Sequence, residues 1–202
     1  MSIAIIDYGA GNLRSVQKAL EKLGLSAVIS DDKTVIESSK AIILPGVGAF
    51  DSAISELMVK ELDQLIISQI TSGKPFLGLC LGMQLLLDCS EEGTEKGFGT
   101  IKGKVNKFVS KELKIPHMGW NNIKIQKASP IMKGIPDGSM VYFVHSYYCA
   151  PDESSTVLTT TDYGTEFTSS VSRDNLFGLQ FHPEKSGDIG LQILKNFGEL
   201  SK

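Results

Sequence analysis

The sequence predicts an α/β fold: an open, mostly parallel sheet flanked by helices, with an antiparallel or mixed extension from the C-terminal half. Three observations predict it. Short apolar runs alternate with amphipathic helical patterns from Ile3 to Leu79, the rhythm of a parallel sheet covered on both faces. From Gly99 onward the segments become strand-like and are punctuated by Gly, Pro and Asn, as expected of antiparallel pairing. The 202 residues suit a single domain over 1–202, long enough to bury a sizeable core and short for two units.

Ile3 to Asp7 is a compact apolar run ending at Gly9 and Gly11, a buried strand followed by a tight turn. Leu13, Val16, Leu20 and Leu23 recur at helical spacing, and Gly24 stops that helix. Ala27 to Ile29 and Ala41 to Leu44 are the next strands. Asp51 is an expected N-cap for one long helix whose apolar stripe runs through Ile54, Leu57, Met58, Leu62, Leu65, Ile66 and Ile70. Gly73 and Pro75 end it, and Phe76 to Leu79 is a strand. Further strands are expected over Ile101 to Val109, Ile123 to Lys127, Met140 to Cys149, Thr156 to Asp162, Phe167 to Arg173 and Leu176 to Phe181. A final helix carries Ile189, Ile193, Leu194 and Phe197 on one face.

Composition narrows the function. A hydrophobic share of 42% with 21% charged residues is ordinary for a soluble globular protein, and a formal net charge of -3 gives no basic excess for nucleic acid. No apolar run is long enough to span a bilayer and the N-terminus lacks a signal-peptide pattern, so a cytoplasmic protein is expected. Three cysteines without a C-x-x-C pair and three histidines without zinc-ligand spacing suggest neither a disulfide framework nor a metal site. Gly46 and Gly48 are followed by Asp51, and Gly9 and Gly11 by Arg14, where a dinucleotide fingerprint needs its third glycine. No cofactor is expected.

Cys80 stands between Gly78 and Gly82, after an apolar strand and before a helical run containing Met83, Leu86 and Leu87. This is the G-x-nucleophile-x-G elbow with Cys in the nucleophile's place. Glycines on both sides let the chain bend sharply and the substrate approach. The same turn puts the sulfur at a helix N-terminus, whose dipole favours a thiolate. Cys89, on the apolar helix continuing from the elbow, and Cys149, at a strand end, read as core residues.

A cysteine nucleophile needs a base and a group to orient it. His182-Pro183-Glu184 offers both, since extended side chains alternate and Pro183 favours an extended His182. His117 and His145 are rival bases; His145, inside the apolar run Val141 to Tyr148, reads first as a wall histidine. The loop Leu44-Pro-Gly-Val-Gly-Ala-Phe50 follows a strand, at the edge where open α/β sheets place their sites. An amide of Gly46, Val47 or Gly48, with the N–H of Leu81, could hold an oxyanion; a plain turn is the alternative. Two glycines around Val47 leave that loop free to rotate, so a partner is expected to be needed to aim the amide.

Together these pieces resemble the class I, triad-type glutamine amidotransferases over nearly the whole chain: the loop Pro45 to Gly48, the elbow Gly78 to Gly82 and the segment Phe181-His-Pro-Glu184, in the family order. More narrowly, Asp7-Tyr-Gly-Ala-Gly-Asn-Leu-Arg-Ser15, Ile115-Pro-His-Met-Gly-Trp-Asn121 and Tyr142-Phe-Val-His-Ser-Tyr147 are similar to the glutaminase subunits of imidazole glycerol phosphate synthases. The resemblance implies that Cys80 attacks the glutamine amide with His182 and Glu184 as partners, through a glutamyl thioester. It also implies that Gln84, Glu92, Ser146 and Tyr147 bind glutamine. By the same resemblance a synthase subunit with a (β/α)₈ barrel receives the ammonia, and Asn12, Trp120 and Tyr142 are candidates for the surface that meets it. Two alternatives stay open: an amidotransferase serving another synthase, and a catalytically silent regulatory subunit of the same fold.

Overall fold

The computed structural model describes residues 2–201. Its first half is the expected alternation: β1 (Ile3–Ile6), α1 (Leu13–Lys22), β2 (Ala27–Ser30), α2 (Lys33–Ser38), β3 (Ala41–Gly46), α3 (Phe50–Val59), α4 (Asp63–Thr71), β4 (Phe76–Cys80) and α5 (Leu81–Gln84). The second half is mostly strand: β5 (Cys89–Ser90), β6 (Gly103–Lys107), β7 (His117–Asn122), β8 (Lys124–Ile125), β9 (Met140–His145), β10 (Tyr147–Pro151), β11 (Val157–Asp162), β12 (Glu166–Arg173) and β13 (Leu176–Leu179), closed by α6 (Gly187–Glu199).

One sheet of 11 strands runs β2-β1-β3-β4-β13-β12-β10-β6-β5, with β11 bonded to β12 and β8 to β11. From β2 to β13 every neighbour is parallel; β13 to β12, β12 to β10 and β10 to β6 are antiparallel. The α/β class and its mixed extension are therefore as expected. Strand alternation sends Ile3, Ile5, Leu77 and Leu79 into one core with Val16, Leu20, Ile193 and Phe197. Ala4, Ile6, Ile42 and Phe76 point into the other with Leu57, Ile66 and Ile70. Each such buried Val, Leu, Ile or Phe side chain contributes about 1.5–3 kcal/mol, so helices are held on both faces and the strand ends are left for chemistry.

Several expectations fail for local reasons. The long helix breaks at Glu61, whose φ is 53°. The Glu61 N–H donates to the Met58 carbonyl at 2.9 Å and the Leu62 N–H to the Leu57 carbonyl at 2.8 Å. That is a Schellman ending, sealed by buried Leu57 against buried Leu62. It hides in the sequence because glutamate occupies the place glycine usually takes. Asp51 is not the N-cap, which is Ala49; its carboxylate accepts from the N–H groups of Thr94 and Glu95 and pins that loop instead. The helix after the elbow is only α5, four residues long, and Cys89 lies exposed in β5 rather than on a core helix. The run from Met140 to Cys149 divides at Ser146: β9 pairs with β7 in a separate two-stranded sheet, whereas β10 joins the main one. Cys149 is buried, as expected.

Candidate active site

The parallel strands deliver their loops to one carboxyl edge: residues 7–12 after β1, Gly46 at the end of β3 with 47–48 after it, Cys80 at the end of β4 and 180–184 after β13. Cys80 adopts φ 53° and ψ −109°, a region that L-residues avoid at a cost of about 1–3 kcal/mol. Backbone packing explains its glycines. A Cβ on Gly82 would lie 1.9 Å from the Leu44 carbonyl oxygen, and one on Gly78 2.4 Å from the Gly82 carbonyl oxygen. Register sets Gly46 beside Cys80, so Val47 and Gly48 continue alongside Leu81. With α5 so short, the dipole expected to favour a thiolate comes from a single turn of peptides.

His182 and Glu184 meet, with His182 extended as expected but Glu184 inside a turn. The chain turns into a 3₁₀ turn over Pro183–Lys185, and His182 Nδ1 lies 3.0 Å from Glu184 Oε1. Both side chains are buried. A carboxylate only accepts, so Nδ1 carries the proton and Nε2 is left for chemistry. Nε2 has no hydrogen-bond partner among the described residues. Burial opposes a charged ring, yet the neighbouring Cys80 and Glu184 outweigh it and raise the His182 pKa to about 9.

A cavity of about 310 Å³ opens over the sulfur, lined by Val47, Gly48, Leu81, Gln84, Glu92, Ser146, Tyr147 and His182 among others, a size suited to a small polar ligand. Gly46 faces a smaller adjoining space with Asn12, Val47 and Glu184. Asn12 also lines the main cavity, so it sits at the rim rather than on a remote surface. One oxygen of Glu92 accepts from the Phe50 N–H at 2.8 Å, which fixes the carboxylate at the start of α3. Trp120 and Tyr142 lie outside the cavity as a cross-strand pair, edge to face with centroids 6.1 Å apart. Exposed Met118 and Met140 extend that apolar face.

The rival bases are held neutral. His145 Nδ1 lies 2.8 Å from the Tyr147 carbonyl oxygen and its Nε2 2.9 Å from His117 Nδ1. Burial lowers His145 to about 3 and His117 to about 4. Among the described residues no cluster could hold a metal ion, and no helix is long and apolar enough to cross a membrane. Two neighbours of the sulfur were missed in the sequence. Cys80 Sγ lies 3.9 Å from the Val144 carbonyl oxygen and 3.7 Å from Gln180 Nε2. Gln180 had a signal, since it stands two residues before His182 and so shares its side in an extended chain.

The model of the family described as glutamine amidotransferase class-I matches residues 4–199. The chain is 50% identical, over 98% of its length and 100% of the relative, to a protein of Syntrophotalea carbinolica named imidazole glycerol phosphate synthase subunit HisH. It is 53% identical to the protein of that name from Methanosarcina acetivorans, over 98% of each chain. In three dimensions it matches a structure of PurLQS from Thermotoga maritima with a TM-score of 0.78 at 20% identity, covering 100% of this chain and 99% of that one, a likeness of fold. This chain belongs to the class-I glutamine amidotransferase family.

Proposed function

We propose that this chain is the glutaminase subunit of an imidazole glycerol phosphate synthase, acting in histidine biosynthesis in the cytoplasm. The observation that carries the chemistry is the His182 imidazole, bound through Nδ1 to Glu184 with Nε2 free beside Cys80. Identities of about half to relatives with that name support the assignment to this synthase.

Cys80 Sγ attacks the side-chain amide carbon of glutamine. The oxyanion is held by the Leu81 N–H and an amide of the Gly46–Val47–Gly48 loop, a donor worth about 10² to 10³ in rate. His182, protonated at neutral pH, gives its Nε2 proton to the amide nitrogen as the C–N bond breaks. Ammonia leaves and a γ-glutamyl thioester remains. Neutral Nε2 then takes a proton from water, which attacks the thioester, and glutamate and the thiolate separate. Glu184 keeps Nδ1 protonated throughout. The free Glu92 oxygen and Gln84 Oε1 suit the α-ammonium of glutamine, while Ser146 and Tyr147 line the wall of the same cavity.

Ammonia released into neutral water would protonate and lose its nucleophilicity, so direct delivery to a partner is favoured. The partner is a synthase subunit with a (β/α)₈ barrel. Asn12 at the rim and the apolar face around Trp120 and Tyr142 suit its docking surface. The test is Cys80→Ala in the complex: glutamate release should disappear while ammonia-dependent synthesis by the partner persists. Persistent glutaminase turnover in that variant would refute the nucleophile, and co-purification with a different synthase would refute the pathway.

A further inference from the structure

Gln180 is fully buried, and its side chain bridges two groups of the cavity. Its Oε1 lies 3.1 Å from Gln84 Nε2, and its Nε2 lies 3.7 Å from Cys80 Sγ. The orientation of both amides follows from one backbone carbonyl. Gln84 presents an amide atom 3.2 Å from the Tyr147 carbonyl oxygen. A carbonyl oxygen only accepts, so that atom is nitrogen. Its second hydrogen then points at Gln180, which must answer with oxygen. The other end of the Gln180 amide is therefore its N–H, directed at the sulfur.

The same carbonyl orients a chain on its other side. The Tyr147 oxygen receives the His145 Nδ1–H, so His145 Nε2 is an acceptor and His117 Nδ1 donates to it. His117 Nε2 in turn accepts from Asn121 Nδ2, which also donates to the Asp162 carbonyl oxygen. Donors converge on Tyr147 from both directions, so no proton can hop along the chain. It is a fixed scaffold running from Asn121 on β7, the strand that carries Trp120, to Cys80.

We propose that Gln180 is a further catalytic residue whose Nε2–H donates to the Cys80 sulfur, stabilising the thiolate before attack and again as it leaves the thioester. The proposal rests on Cys80 being the nucleophile. The ionisable groups nearest the sulfur are His182, backed by Glu184, together with Tyr8, His145 and Cys149, while Glu92 and Lys185 also line the cavity. Burial, and then Cys80 itself, push Tyr8 and Cys149 up, and burial pushes His145 down, so all three are neutral near pH ~7. That leaves His182 and Gln180 as the oriented donors beside the sulfur. An N–H bonded to an anion is stronger than a neutral pair, so its loss should be legible in ionisation.

The experiment is the pH profile of Cys80 alkylation by iodoacetamide, read by mass spectrometry on the Cys80 peptide so that exposed Cys89 does not interfere. Gln180→Met and the isosteric Gln180→Glu are compared with the unsubstituted protein. The midpoint should rise by about one pH unit in Gln180→Met, with roughly ten-fold slower alkylation near neutrality. Gln180→Glu, placing an acceptor at the sulfur, should be slower still. In the unsubstituted protein, the side-chain amide protons of Gln180 should shift downfield as Cys80 ionises, a readout that requires no variant to fold. An unchanged midpoint in a folded variant, or unmoved amide resonances, overturns the proposal. Retained glutaminase activity in Cys80→Ala would instead remove the nucleophile assignment beneath it.

Discussion

Tyr142 and His182 clamp each other through their backbones. The His182 N–H donates to the Tyr142 carbonyl oxygen at 2.9 Å, and the Tyr142 N–H donates to Ser186 Oγ at 3.0 Å. That hydroxyl passes its own proton to the His182 carbonyl oxygen at 2.6 Å. The candidate base is thus tied to the strand that carries the exposed aromatic pair. Ser186→Ala should leave the part-buried Tyr142 N–H unpaired, while the His182 carbonyl keeps the Lys185 N–H at 3.0 Å, costing about 1 kcal/mol or more. Turnover of glutamine by the complex should fall about ten-fold with KM little changed, because the ring position is loosened and the cavity wall is not. A melting temperature and kcat both equal to those of the unsubstituted protein would show the clamp to be idle.

The strain at Cys80 gives a prediction with an unusual sign. Replacing alanine by glycine ordinarily destabilises by about 0.5–1 kcal/mol. At φ 53° and ψ −109° a Cβ carries strain of about 1–3 kcal/mol. Cys80→Gly should therefore be more stable than Cys80→Ala by roughly 1 kcal/mol, with both inactive. Thermal denaturation of the two variants decides it, and a lower melting point for the glycine variant contradicts the strain. Gly82→Ala should fail to fold, since its Cβ would meet the Leu44 carbonyl oxygen at 1.9 Å.

The neutral histidine pair gives the pH dependence. Burial depresses His117 to about 4 and His145 to about 3, against about 6.5 in an unfolded chain. Below about pH 6.5 the unfolded state binds these protons first, so their contribution is whole above that pH and is lost as pH falls toward 4 and 3. His182 works in the opposite sense. Raised to about 9, it contributes fully below about pH 6.5 and loses that contribution as pH rises through 9. The melting temperature should therefore drop between about pH 6.5 and 4.5, and His117→Gln with His145→Gln should flatten that drop while lowering the plateau. A parent and a double variant with parallel acid limbs would count against it.

The legible parts of this chain were those set by local chemistry. The apolar strands β1, β3 and β4 and the Gly-x-Cys-x-Gly turn are visible because burial and close backbone approach leave few residue types. The Schellman break at Glu61 was hidden because glutamate in a left-handed conformation is held by Leu57 and Leu62 packing together, a tertiary effect. The Met140 to Cys149 run reads as one strand because nothing in its apolar pattern marks Ser146 as the place where the chain changes sheets. An extended chain would set His182 and Glu184 on one side; His182 is extended, but Glu184 reaches it through a 3₁₀ turn. The two-residue spacing serves either geometry. Gln180 went unnoticed because an amide acquires meaning only when Gln84 and the Tyr147 carbonyl orient it.

The Cys80 sulfur faces the Val144 carbonyl oxygen at 3.9 Å, while His182 Nε2 has no hydrogen-bond partner among the described residues. Full activity also needs an amide of the 46–48 loop turned to the oxyanion. Gly48 sits at φ 99° with open space where a Cβ would be, so nothing packs against that side of the loop. The chain alone should therefore hydrolyse glutamine slowly, and addition of the synthase subunit with its substrate should raise turnover by about 10² or more, the worth of one oxyanion donor. Val47→Pro, which removes one candidate N–H, should abolish most of that stimulation while leaving alkylation of Cys80 unchanged. Glutamate release measured with and without the partner is the check; equal rates would mean that the donor is already in place and that binding adds nothing to it.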